Sequence, residues 1–334
     1  MQAALAPARH AGFLRYGGRG TIPMNMRTYL MQRLAFLIPT VLGVATLVFA
    51  ILHAVPGDPV DVLLGESAAA VDRQEMRSRL GLDRPLLVQY AHSMAAAAQG
   101  DLGRSVRSDR PVASLIAERL PATLALGAAA TAAALALGLP LGALAAARKG
   151  SGADHFALGA SLAAVAIPGF CLGPALVLLF SVTLRWLPVA GAGSPAHLLL
   201  PALTLGAGMS GVLVRMTRSA LLETLSEDYV RTARAKGLSE SATLVRHALP
   251  NALTPVLSVV GLQLGAVLGG SVITETIFAW PGLGRLLVEA IQARDYPLVQ
   301  GTVLVIAVVY VLVNLATDIA YVAVNPKMRD EALR

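Results

Sequence analysis

The hydrophobic residues of this chain gather into six long runs that contain no Asp, Glu, Lys or Arg, at 34–57, 120–147, 155–184, 186–214, 247–274 and 296–317. An ionised side chain at mid-bilayer is costly, and about 20 apolar residues suffice to cross. Buried helices of a water-soluble bundle keep a polar face, and these runs show none. The fourth run opens with turn chemistry at Pro188, Gly191, Gly193 and Ser194-Pro195, which delays its helix to about His197 or Leu198. The pattern therefore predicts six transmembrane helices, near 33–54, 119–147, 155–183, 198–218, 251–275 and 297–322. Pro140, Pro168 and Pro174 fall inside the second and third and are expected to bend them. Gly261, Gly265 and Gly269 recur every four residues on one face of the fifth, where absent side chains allow close helix approach, more often to a neighbour in the same chain than to a partner.

The first span is too long for a signal h-region and ends in Leu52-His53-Ala54-Val55-Pro56 without a small-x-small cleavage site, so a retained anchor is expected. Residues 1–26, rich in Arg, Gly and Ala, form an extension that need not fold. Met24 and Met26 stand just ahead of Arg27, so part of it is read as an over-long gene start. Basic residues set the orientation. With a cytoplasmic N-terminus, 16 Lys and Arg fall on inside segments, including Lys149, Lys236 and Lys327, against Arg185, Arg285 and Arg294 on short outside loops. Both termini are placed in the cytoplasm.

Composition agrees: 55% of the residues are hydrophobic, 14% are charged, and the mean hydropathy is +0.65. Neither a soluble enzyme nor a disordered chain has that make-up. The net charge of +7 would by itself suit nucleic acid. In a membrane protein, however, its placement explains it, and no nucleic-acid partner is expected. A single cysteine, Cys171, excludes a disulfide framework and Cys-based metal or cluster sites. The six histidines show no metal-ligand spacing, and no phosphate-cradling Gly-x-x-x-x-Gly-Lys-Ser/Thr occurs. No catalytic residue, cofactor or metal is expected in this chain.

Three extramembrane pieces are large enough to act. The outer loop 56–118 carries turn signals at Pro56-Gly57-Asp58-Pro59, Gly81 to Pro85 and Gly100 to Arg104 around helix-like stretches at 71–80 and 86–98, the pattern of an ordered cap. The last outer loop, Glu275 to Gly284, places Phe278 and Trp280 at the water interface beside Pro281 and Gly282. It is a candidate docking loop, although interface anchoring alone would explain its aromatics. The inner segment 219–250 is longer than a chain reversal needs. Acidic residues open and Arg234 and Lys236 close a short helix from about Tyr229 that stops at Gly237. A second helix is expected from Ser239 to Leu249. This pair would be presented to a partner or to the lipid headgroups.

The spacing of Ala233, Gly237, Leu249 and Pro250 resembles the cytoplasmic loop of permease subunits of ATP-binding-cassette importers, with Arg231, Thr232 and His247 replacing that loop's Glu, first Ala and Ile. Those departures are similar to the dipeptide, oligopeptide and nickel branch. So are residues 33–60, the stretch 80–85, Gly100 to Ser105, Arg119 to Thr123, Trp280 to Gly284 and Arg294 to Pro297. The resemblance covers roughly 25–330. It implies an all-α membrane protein with six transmembrane helices and the type I importer permease architecture, in a permease domain over 27–334. It implies a second permease, two ATPase subunits bound through the cytoplasmic loop, and an extracytoplasmic binding protein. Tyr229, Arg231, Thr232, Ala233, Arg234, Lys236, Gly237, Leu249 and Pro250 would form the ATPase-coupling surface, with Ala233 expected to face the ATPase.

A carrier working alone would place ionisable groups at mid-membrane, often in repeated halves. Gln263, Asn314 and Asp318 are the only candidates, and no internal repeat occurs. A membrane enzyme would need an acid, base and nucleophile together, which are absent. The spans offer no cluster of oxygen or imidazole ligands for a bare divalent ion. The small residues of the second span, Ala125, Gly127 to Ala130 and Ala132 to Ala134, suit a weakly polar path or simply close helix packing. Short peptides are the expected substrate, with a nickel complex or another small solute as the alternative.

Overall fold

Residues 26–54, 60 and 70–324 are described by a computed structural model. The expected extension over 1–26 lies outside them except for Met26, as do residues 55–59 and 61–69 and residues 325–334. The described chain is helical throughout: α1 Met26–Ala54, α2 Ala70–Leu80, α3 Leu86–Ala98, α4 Val112–Ala147, α5 Gly152–Ala166 and α6 Gly169–Leu176, the last prolonged by a π-helical stretch Val177–Thr183. Then come α7 Ala196–Leu225, α8 Asp228–Ala235, α9 Glu240–Thr243 with a π-helical stretch Leu244–Ala248, α10 Leu249–Ile277, α11 Leu283–Gln292 and α12 Tyr296–Val324.

All six predicted spans fall within these elements, and two differ in form. The third is not one bent helix but two, α5 and α6, whose axes turn by 107°. Ile167 is extended, as the residue before a proline prefers, and Pro168 starts the second half. Pro140, by contrast, sits inside an unbroken α4. The second helix expected over Ser239 to Leu249 is a single α-helical turn, α9, that passes through the π-helical stretch straight into α10. Helix α4 also begins at Val112, so the outer loop ends earlier than 118.

Between helices in lipid there is no hydrophobic drive, and contact depends on how closely backbones approach. Here α4 and α7 run parallel with glycines at the seam. A Cβ on Gly206 would lie 2.5 Å from the Ala130 carbonyl oxygen, and one on Gly142 would lie 2.7 Å from that of Val214. Antiparallel to α7, α5 brings the Ser161 carbonyl oxygen to 2.5 Å from where a Cβ on Gly211 would stand. Val256, Val260 and Val267 of α10 complete this core with Ala130, Ala134, Met209 and Leu213. At the end of the seam formed by the C-terminal parts of α4 and α7, Arg218 forks onto Asp154, with Nε and Nη2 donating to the two carboxylate oxygens at 2.6 and 2.8 Å.

The cap is bound to the spans by a buried carboxylate. Asp295 accepts from Ser105 Oγ at 2.5 Å and from the Leu298 amide at 3.2 Å, so one group caps α12 and holds the Gly100-to-Ser105 turn. Beside that turn Arg104 pairs with Asp109 at 2.9 Å, and its hydrogen bond holds the Asp109 carboxyl below the usual carboxylate range.

Candidate functional site

The inner loop forms as its sequence suggests and then turns an unexpected face inward. Asp228 in the first turn and Arg234 in the last complement the α8 dipole. Gly237, at φ +82°, reverses the chain in the left-handed region, and Ser239 Oγ accepts the Ala242 amide as the α9 N-cap. Arg234 closes the reversal by binding both Glu240 oxygens at 2.8 and 3.2 Å. Tyr229 ties α8 to α10: its hydroxyl accepts from Asn251 Nδ2 at 2.9 Å, and the same Nδ2 donates to the His247 carbonyl at 3.0 Å. Thr232 spends its hydroxyl on the Asp228 carbonyl.

Ala233 does not face outward. With Val230 it is buried within the chain, at 6% and 0% exposure, so the inward face of α8 is taken and the opposite one is left exposed. That outward face carries Arg231, Thr232, Arg234 and Lys236 and part of Tyr229, all exposed, with Arg231 lying 3.2 Å from Asp228. Leu249 packs on a buried cluster of Ala146, Ala220, Leu221, Ala248 and Ala252, while Pro250 is exposed in the first turn of α10. The cluster joins the C-terminal ends of α4 and α7 to the N-terminal end of α10. Leu225 and Leu244, which flank the α8–α9 segment, pack against the same cluster.

Of the three spaced glycines, Gly261 and Gly265 meet α12 within the chain, against Thr317 and Tyr310, while Gly269 is exposed with open space at its Cβ position. The outer loop differs from its expected role. Phe278 and Trp280 are 1% and 8% exposed, so no aromatic pair is presented for docking. Trp280 Nε1 donates to the Ala122 carbonyl at 2.8 Å, and Phe278 lies against Gly173 of α6. Gly282 is buried and Pro281 half-buried.

Beneath that loop lies a group the sequence reading passed over. Glu275 is fully buried. Its carboxylate accepts from Thr123 Oγ1 at 2.8 Å and the Arg285 amide at 3.0 Å, and Thr123 Oγ1 in turn accepts the Leu283 amide at 2.7 Å. These amides open α11, so the carboxylate and hydroxyl together cap a helix while joining α4 to α10. Gly282 must be glycine because a Cβ there would overlap the Glu275 carboxyl group. The available signal was a lone carboxylate closing a charge-free run and followed by Gly-x-Gly.

Among the described residues, no three His, Cys, Asp or Glu side chains converge as a metal site would require. Gln263 reaches the Met209 carbonyl at 3.5 Å and Asn314 bonds the Tyr310 carbonyl of its own helix, while the Asp318 side chain lies outside the described residues.

Residues 138–330 match the family of "Binding-protein-dependent transport system inner membrane component", and residues 26–127 match that system's N-terminal membrane component. The chain belongs to this family. It is an inner-membrane, multi-pass permease subunit of an ATP-binding-cassette importer. The permease is 44% identical over 304 residues to the glutathione transport system permease protein GsiC of Escherichia coli (strain K12), covering 91% of this chain and 99% of that one. With the protein of the same description from Salmonella typhimurium it shares 45% over the same shares of both chains. Its fold is that of the membrane subunit in an inward-facing structure of the MetNI methionine ABC transporter, with a TM-score of 0.53 at 22% identity over 63% of this chain and 96% of that one. The large apolar helices and the permease family agree with the type I architecture expected from the sequence.

Proposed function

We propose that the permease forms, with a second and similar permease, the inner-membrane pathway for short peptides handed over by an extracytoplasmic binding protein, and that it catalyses no reaction itself. Two ATPase subunits hydrolyse ATP and dock on the exposed face of α8 and α9. The observation that carries the mechanical part is that Leu225, just before α8, and Leu244, just after α9, both pack on the buried cluster at the ends of α4, α7 and α10. ATPase closure then becomes a displacement of span ends without a flexible linker between them. The substrate class rests on the GsiC relatives, since glutathione is a tripeptide. Selection among peptides resides in the binding protein, and the path through the spans needs only to be wide and weakly polar. The measurement that tests the substrate is to purify the cognate binding protein and identify what it carries. Bound di- or oligopeptide is expected; a tightly held nickel complex with no peptide affinity would overturn the assignment and leave the permease reading standing.

Both termini and the α8–α9 loop are placed in the cytoplasm, with α2 and α3 outside. In a Cys171→Ala background, Leu87→Cys, at a site 82% exposed on α3, is expected to react with an impermeant thiol reagent added to intact cells. Ser241→Cys, at an exposed site on α9, should react only after the membrane is opened. The opposite labelling pattern would invert the topology.

A further inference from the structure

Where α1 ends and α12 begins, a groove of about 430 Å³ opens along α11. Val48 and Leu52 of α1, Leu287 and Ile291 of α11 and Val303 of α12 make it apolar. Its charged member is Arg294, from the turn between α11 and α12, where the backbone holds φ at +50°. The charge balance along this edge leaves that guanidinium over. Arg285 is paired with Glu289 at 2.8 Å. The adjacent Asp295 carboxylate is turned inward and taken by Ser105, Arg107 and Leu298. Among the described residues Arg294 has no ion pair and no side-chain hydrogen bond, although it is half-buried.

A half-buried guanidinium is stabilised by an anion that accepts two parallel hydrogen bonds, and phosphate is such an anion. The apolar groove beside it, at the level where spans leave the hydrocarbon, asks for a hydrocarbon chain on the same molecule. A free phosphate would supply only the first, and a zwitterionic lipid would bring a second cation to an edge that already has one in excess. We propose that this groove seats an acyl chain of an anionic phospholipid whose phosphate is bound by Arg294. The lipid would wedge α1 against α11 and α12, next to the Asp295 lock that holds the cap.

The test is lipid retention by the full-length permease, purified with its importer partners in mild detergent. The probes are phosphatidylglycerol and phosphatidylcholine of matched chains, quantified by mass spectrometry after detergent exchange. Phosphatidylglycerol is expected to be retained at least tenfold over phosphatidylcholine. Arg294→Gln should lower that retention at least fivefold, and Arg185→Gln, at an exposed arginine outside the groove, should leave it unchanged. Val303→Trp fills the groove without altering charge and should lower retention to the same extent, so the two variants test headgroup and chain separately. Equal retention of both lipids by the unaltered protein, or retention that survives either Arg294→Gln or Val303→Trp, would overturn the proposal. So would photo-crosslinking of the partner permease by a benzophenone amino acid introduced at Ile291, which would show that protein and not lipid covers the groove.

Discussion

Replacing Glu275 by alanine is expected to lower uptake at least a hundredfold and to reduce the thermal stability of the purified permease. The carboxylate has no water to fall back on. Its removal orphans the Arg285 amide and leaves Thr123 to serve the α11 N-terminus alone, at roughly 1–3 kcal/mol for each unsatisfied group. A cavity beneath Gly282 adds to the loss. Glu275→Gln keeps the shape and one acceptor oxygen but turns an NH₂ group toward donors, so an intermediate loss is expected. Gly282→Val should match the alanine variant from the other direction, since its side chain needs the space that the carboxyl group fills. Thermal unfolding in detergent, measured beside uptake, checks the claim. A Glu275→Ala permease with unchanged stability would show that this group does not hold α4, α10 and α11 together.

Ala233→Asp is expected to abolish transport by detaching α8 from its own chain. An unpaired carboxylate at this buried position costs a few kcal/mol, enough to lift a helix of eight residues off its seat. The exposed basic residues Arg231, Arg234 and Lys236 then become sites of trypsin cleavage. Arg231→Glu acts on the outward face instead. It should weaken ATPase association and uptake while leaving the trypsin pattern as in the unaltered protein. Limited proteolysis of membrane vesicles thus separates the two faces of one short helix. Equal protection of the Ala233→Asp and unaltered proteins would refute the inward seating of Ala233.

The membrane-spanning core was legible because charge marks its limits, and the same cue misplaced the helix ends. Glu118 and Arg119 bounded the second span in the sequence, yet both lie inside α4, which continues seven residues beyond the expected start because a helix has no reason to stop where the bilayer does. The α8 helix and Gly237 followed from local rules of dipole and left-handed turn. The direction of Ala233 did not, although Val230 and Ala233 stand three apart as the buried pair of an otherwise polar helix. Phe278 and Trp280 looked like interface aromatics since nothing nearby in sequence offers the indole a partner; its acceptor, Ala122, is 158 residues away. Glu275 was hidden for the same reason. Its main donor, Thr123, lies 152 residues upstream, and no spacing rule connects positions so far apart.

The turn at Pro168 limits where lipid can touch the permease. Helix α5 rises only about 22 Å before it breaks, less than the roughly 30 Å of hydrocarbon. Beyond the break Pro168 has no amide to give, and Cys171 and Leu172 direct theirs to the Pro168 carbonyl. The carbonyls of the last turn of α5 are thereby left without the helical donors that would have come from residues 168 and after. Acyl chains hold no proton to offer them, so this elbow must be wetted or covered by protein. That stretch of backbone is therefore kept from lipid whatever its side chains, and the helix that carries Gly208 and Gly211 already lies against the carbonyls of Ala164 and Ser161.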